Sequence, residues 1–177
     1  MAIRLTTPLA DSDIRALKAG DSVLLSGLLY TARDAAHKRL CETLAEGARP
    51  PFPFEGQVVY YAGPCPAKPG KVIGSIGPTT SGRMDAYTPT LMEHGLRCMI
   101  GKGARSEAVT ESIRRLGGVY FVAIGGAAAL MSLCVTDVKM VAFPELGAEA
   151  VRALTVADLP VIVGIDAQGR DIYKKRE

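Results

Sequence analysis

The stretch VLLSGLLYTARDAAHKRLCETLA (Val23–Ala45) changes its period halfway along. Val23 to Tyr30 is a nearly unbroken apolar run, which reads as a buried strand. Asp34 to Ala45 has helical spacing, with Ala36, Leu40 and Leu44 on one face. A buried strand feeding an amphipathic helix is the repeating step of α/β folds. The same alternation recurs along the chain. Gln57–Ala62, Val72–Ile76, Leu96–Ile100, Val119–Ile124, Lys139–Phe143 and Leu159–Ile165 read as further strands. One helix runs through Met92 to Gly95. Another starts behind a Ser106 N-cap and ends at Leu116, stopped by Gly117. Gly125–Leu133 reads as a small-residue helix lying close on the sheet. Arg49–Glu55, with three prolines, and Gly63–Gly70 (GPCPAKPG) are loops, and Asp166–Gly169 is a turn. Met1–Asp21 is polar and mixed in charge. No repeat, linker or low-complexity segment divides the chain, so a single α/β domain over residues 1–177 is the expectation.

The chain has 177 residues, sufficient for an ordinary core. Hydrophobic residues make up 48% and charged residues 22%, a globular balance that excludes disorder. The net charge of +3, with no basic run, is no nucleic-acid footprint. Aromatic residues are 6% and Trp is absent, so base-stacking platforms are not expected. No run reaches the roughly 18–20 apolar residues of a membrane span. The N-terminal residues lack the apolar core of a signal peptide, and a cytoplasmic location without membrane association is expected. Cys41, Cys65, Cys98 and Cys134 are far apart and form no CxxC pair. A metal site held by this chain alone is therefore not expected. Cys98 reads as core, and Cys65, between two prolines, as loop.

Three stretches can carry chemistry. In the first, Gly77-Pro78-Thr79-Thr80-Ser81-Gly82-Arg83, a strand runs into a glycine- and hydroxyl-rich turn and a helix follows. Backbone N–H groups at a helix start suit an anion, and Arg83 adds a fork that can hold a carboxylate bidentately. The plain alternative is a tight turn whose hydroxyls cap the helix. Gly77 and Gly82 have the spacing of a nucleotide P-loop. However, Arg83 and Met84 stand where that motif needs Lys and a hydroxyl. The second stretch is Thr31 to Arg39, where Arg33 and His37 are four apart at a helix start. Its plain alternative is a solvated helix start with Arg33 and Asp34 paired, and a structural histidine. The third is Gly101-Lys102-Gly103 at a strand end, where the flanking glycines let a ligand approach. Its plain alternative is an exposed β-turn. Together they set three cations at strand ends, where α/β sheets gather ligand sites. Three cations suit a substrate with two carboxylates. At ~1.5–3 kcal/mol per charge-assisted contact, two or three suffice for a micromolar to millimolar metabolite.

These stretches, in this order, resemble the β-subunit, or C-terminal half, of the class I fumarase and L-tartrate dehydratase family. The match is carried by SGLLYTARDAAHKR (Ser26–Arg39), YYAGPCPAKPG (Tyr60–Gly70), IGSIGPTTSGRMDAYTP (Ile73–Pro89), IGKGARS (Ile100–Ser106), FPELGAEAV (Phe143–Val151) and DLPVIVGIDAQGRDIY (Asp158–Tyr173). It covers nearly the whole chain, and GPTTSGRMD is its most specific segment. Cys65 departs from the pattern, where a small polar residue is expected.

The resemblance implies a swivelling β/β/α domain and a hydro-lyase that adds water reversibly to an unsaturated dicarboxylate. Fumarate to malate is the first choice. L-tartrate to oxaloacetate is the alternative within the class, and a non-catalytic organic-acid-binding module the alternative outside it. It further implies a partner α-subunit carrying a [4Fe–4S] cluster, and an α2β2 assembly is expected from the symmetry of most oligomers. By the same resemblance Arg33, Arg83 and Lys102 hold the substrate carboxylates and Thr79 takes part in proton transfer. His37, Thr80 and Ser81 support them from behind.

Overall fold

The computed structural model describes residues 1–123 and 126–174. Ile3–Thr6 forms a short edge strand, β1, and Asp11–Ala16 a helix, α1. The Val23–Ala45 stretch becomes β2 (Ser22–Thr31) and α2 (Asp34–Ala45). Then come β3 (Val58–Tyr60), a 3-10 turn (Ser81–Met84), α3 (Thr88–Glu93) and β4 (Cys98–Gly101). The order continues with α4 (Glu107–Leu116), β5 (Val119–Val122), α5 (Ala128–Leu133) and β6 (Val135–Ala142). A 3-10 segment (Pro144–Glu149) leads into the long last strand, β7 (Val151–Ile165).

The sheet closes on itself. Strands β2, β3, β4 and β5 are neighbours and parallel, and β7 runs antiparallel to both β5 and β2. The result is a five-stranded barrel-like ring in a mixed α/β structure, with β1 beside β2 and β6 beside β7. Side chains alternate between two clusters, as strand geometry requires. Val58, Tyr60, Cys98, Ile100, Val119 and Phe121 fill the inside of the ring. Val59, Tyr61, Met99 and Tyr120 face outward and pack with Ala36 and Leu40 of α2, Leu91 and Met92 of α3, and Val109 and Ile113 of α4. Each such fully buried Leu or Ile contributes about 2 kcal/mol of hydrophobic transfer energy.

The sequence expectations hold for α2, and for α4 with its Ser106 cap, whose Oγ accepts from Val109 N at 3.3 Å. Gly117 ends α4 in the left-handed region at φ 73. Val72–Ile76 is not a strand. The ring closes without it, and Gly74 lies so close to the Cys65 carbonyl that a Cβ would stand 2.3 Å from that oxygen. Ile73 and Ile76 instead enter the inner core as loop residues. β7 starts at Val151 rather than Leu159, and β6 starts at Val135 rather than Lys139. The polar edge strand β1 and helix α1 had no counterpart in the periodicity. Of the Val119–Ile124 and Gly125–Leu133 readings, Ile124 and Gly125 lie outside the described residues.

Candidate functional site

Parallel strands bring their carboxyl ends to one end of the ring. Thr31, Tyr60, Ile100 and Phe121 stand in register across β2, β3, β4 and β5. Arg33 follows Thr31 by two residues and Lys102 follows Ile100 by two, so both emerge at the same level. The turn carrying Thr79 is laid against this end by backbone bonds. Thr79 N donates to Tyr61 O at 2.6 Å, Lys102 N to Thr79 O at 3.3 Å, and Ser81 N to Lys102 O at 2.9 Å. Thr80 and Lys102 form an isolated parallel bridge. The Gly77–Arg83 and Gly101–Gly103 stretches are thus one structure. Thr80, Arg83 and Lys102 are exposed, Thr79 is half-buried, and Ser81 is fully buried.

The Gly77–Arg83 turn is not the opening of a regular helix. It continues into a single 3-10 turn, whose N-cap residue, Thr80, makes no side-chain cap bond. Arg83 lies in its last turn, where no helix dipole opposes a cation. A backbone anion site at a helix start, of the P-loop kind, is therefore not built here. Gly101 serves packing rather than ligand approach. A Cβ there would lie 1.9 Å from Ser81 Oγ and 2.9 Å from the Tyr61 ring.

The second stretch joins the same end. Arg83 Nη2 donates to Asp34 Oδ2, so the first residue of α2 is tied to the Thr79–Met84 turn. Arg33 does not pair with Asp34. Its Nε lies 3.3 Å from Glu149 Oε1 and is buried without a hydrogen bond. Asp34 Oδ1 is also buried without a partner. Lys102 has no acidic partner among the described residues. Arg33, Arg83, Lys102 and Thr79 are thus carried by segments that meet at one end of the ring, with Arg83 and Lys102 exposed and Arg33 and Thr79 half-buried.

His37 is fully buried. Its Nδ1 is 2.9 Å from the Arg33 carbonyl oxygen, so Nδ1 carries the proton and Nε2 is the acceptor. Nε2 is buried without a partner, and the ring meets Tyr61 edge-on with centroids 5.1 Å apart. Burial pushes the imidazole down to about 4. Arg105 pushes the same way, while the Arg33 carbonyl and Asp34 oppose. The fold therefore favours the neutral ring. Its contribution is complete above the ordinary histidine value of ~6.5. It is lost as pH falls through about 4. At 1.36 kcal/mol per unit, up to about 3 kcal/mol is at stake. His37→Asn, which keeps a donor for the Arg33 carbonyl but does not titrate, is expected to flatten the fall in stability between pH 7 and pH 4. Denaturant unfolding across that range checks it, and parallel curves for the two proteins would refute the role of His37.

Ser81 and Thr80 differ from one another. Ser81 Oγ lies 2.8 Å from the Tyr120 hydroxyl, which donates its own proton to Gly103 O at 2.8 Å. Ser81 is therefore the donor and fixes the loop behind Lys102. Thr80 is a surface residue. The sequence reading missed Arg105, Asp85, Tyr61 and Glu149. Arg105 and Asp85 sit in the segments GKGARS and GRMD, but nothing local in the sequence pairs them.

The four cysteines are free thiols. Cys98 is fully enclosed in β4, and burial pushes its thiol up to about 12. Cys65 is exposed, in a loop where its N–H donates to Ser75 O at 3.0 Å. Among the described residues no group of three His, Cys, Asp or Glu could hold a metal ion. No helix among them is long and apolar enough to cross a membrane.

Comparison with known proteins gives the site its context. The chain is 40% identical over 158 residues to fumarate hydratase 2 of Leishmania major, which covers 88% of this chain and 28% of that protein. It is 39% identical over 153 residues to the anaerobic class I fumarate hydratase of Escherichia coli K12, covering 85% and 28%. It is 39% identical over 173 residues to a putative L(+)-tartrate dehydratase subunit beta of Methanocaldococcus jannaschii, covering 94% and 89%. The chain thus spans little more than a quarter of the two fumarate hydratases and most of the tartrate dehydratase subunit. The family model described as Fumarase C-terminus matches residues 1–176, and the chain belongs to that family.

Proposed function

We propose that the chain is the β part of a hydro-lyase that hydrates an unsaturated dicarboxylate, with fumarate to malate as the first choice. In this reading it is the swivelling β/β/α domain of a two-part enzyme. One observation carries the proposal: the Thr79–Arg83 turn, the Lys102 loop and the Arg33–Asp34 helix start are joined at one end of the ring, which brings Arg33, Arg83 and Lys102 into the same region. Arg33, Arg83 and Lys102 hold the two carboxylates of the substrate. The Thr79 hydroxyl moves the proton at the adjacent carbon. A threonine hydroxyl needs activation for that task, and an acidic residue of the partner is the natural source. The [4Fe–4S] cluster, carried by the partner, supplies Lewis-acid chemistry at the substrate hydroxyl. The exposure of Arg83 and Lys102 suits a site completed by another chain, in an α2β2 assembly in the cytoplasm.

The second reading is L-tartrate dehydration. It is favoured by the Methanocaldococcus relative, of which this chain covers 89%. Anchors for two carboxylates serve both substrates, so contacts at the central carbons decide between them. Anaerobic co-expression with a cluster-bearing α chain, followed by assay on fumarate and L-tartrate, tests the proposal. Turnover of either substrate is expected. A stable complex that turns over neither would sink it. The purified chain alone is expected to be colourless and inactive after anaerobic treatment with iron and sulfide. Stoichiometric cluster absorbance on this chain would overturn the division of labour.

A further inference from the structure

Arg105, three residues beyond Lys102, is an arginine with a fully enclosed side chain. Its Nε donates to Asp85 Oδ1 at 2.7 Å, and its Nη2 donates to Thr88 Oγ1 at 2.9 Å and to the Tyr61 hydroxyl at 3.3 Å. Its guanidinium carbon lies 5.2 Å from the Tyr61 ring centroid and 4.9 Å from that of Tyr120. The other oxygen of Asp85 accepts from Ser106 N at 2.6 Å. Asp85 follows Arg83 by two residues, while Arg105 and Ser106 follow Lys102. The pair therefore bolts the Thr79–Met84 turn to the Lys102 loop from beneath. The Ser81–Tyr120–Gly103 chain is a second fastening between the same two segments.

A buried ion pair is weak evidence for stability, because desolvating both charges offsets their attraction. Here Arg105 Nη1 is moreover buried without a partner. An apolar filling would bury the same space without that unpaired donor. What the pair does supply is register between two loops.

We infer that Arg105 is a positioning residue: through Asp85 it fixes where Thr79 and Arg83 stand relative to Lys102. This rests on the proposed hydro-lyase reading for its consequence on turnover, but not for the fastening itself. Two measurements on the complex with the α chain keep these apart. The first is amide hydrogen exchange, which needs no activity. In Arg105→Met the amides of Ser81 and Lys102, which bond across the two segments, are expected to lose protection while those of β2 to β5 keep theirs. The second is kinetics. A displacement of about 1 Å in a reacting group costs on the order of a hundredfold, so kcat is expected to fall roughly ten- to hundredfold, with a smaller rise in KM because Arg83 shifts together with Thr79. Arg105→Lys, which keeps the charge but not the fork, is expected to recover part of that loss. In a Thr79→Val background Arg105→Met is expected to cost much less, because the group it positions is already gone.

Normal kcat in a folded Arg105→Met complex would overturn the inference. So would a uniform loss of protection across the sheet, or costs that simply multiply with those of Thr79→Val. If Arg105→Met does not fold, Asp85→Asn takes its place with the same two readouts, since it neutralises the pair and keeps the side chain's shape. A wild-type complex without turnover would sink the hydro-lyase reading, while exchange at Ser81 and Lys102 would still decide the fastening.

Discussion

Arg83→Met is expected to cost ~2–5 kcal/mol of transition-state binding, as for truncating one side of a charge pair that is buried when the complex closes. At about 1.4 kcal/mol per tenfold this is a loss in kcat/KM of roughly thirtyfold to several thousandfold. The structure adds a reason for a value toward the upper end. Arg83 neutralises Asp34, whose other oxygen is already buried without a partner. Without Arg83 the site loses an anchor and gains an uncompensated carboxylate facing a dianionic substrate. Arg83→Met combined with Asp34→Asn is therefore expected to recover part of the loss, and Arg83→Lys another part. Stability should hardly change. The Arg83 side chain is 53% exposed in this chain, and an ion pair so exposed is worth about 1 kcal/mol or less. Thermal melting beside kcat/KM of the co-purified complex decides it. A fall of many degrees, with normal kcat/KM in the surviving molecules, would make Arg83 a structural residue and remove the anchoring model.

The same pair shows where sequence reading stops. Two of the three cations read at strand ends do stand there, Arg33 after β2 and Lys102 after β4, while Arg83 follows a loop, because Val72–Ile76 is not a strand. Helix α4 was legible, because its Ser106 cap and Gly117 stop are set by neighbours in the chain. The partners of those cations were not legible. Asp34 and Arg83 are 49 residues apart, and Asp85 and Arg105 are 20 apart. They meet because parallel strands of a closed ring gather their following loops at one end. That convergence depends on strand order, which local pattern does not contain. Val72–Ile76 failed for the opposite reason. Ile73 and Ile76 do serve the core, while Val72 is exposed. The segment's backbone, with Gly74 against the Cys65 carbonyl, has no strand to pair with. Likewise the first half of β7, which lies between β2 and β6, is no apolar run, because Arg152 and Thr155 interrupt it.

Thr79→Val tests the chemical half of the proposal, and the fold makes it a clean test. The structural competitor, in which Thr79 caps a following helix, does not hold. The cap position belongs to Thr80, and no side-chain cap bond is made there. Thr79 is held by its backbone alone, through the Tyr61 carbonyl and the Lys102 N–H. Its hydroxyl has no hydrogen-bond partner among the described residues. Valine keeps the β-branched shape and both backbone bonds, so stability is expected to change by less than about 1 kcal/mol. The hydroxyl is what is lost. A positioned proton-transfer group contributes about 10²–10⁴-fold, and kcat should fall by that order. KM should change little, because the carboxylates are still held by Arg33, Arg83 and Lys102. A loss in kcat and kcat/KM together marks an interaction made in the transition state. Thr79→Ser, which restores the hydroxyl without the methyl group, is expected to recover much of the rate. If Thr79→Val in the active complex turns over normally, the hydroxyl has no part in the chemistry. The proton must then be moved by the partner alone, with this chain acting as a holder of carboxylates.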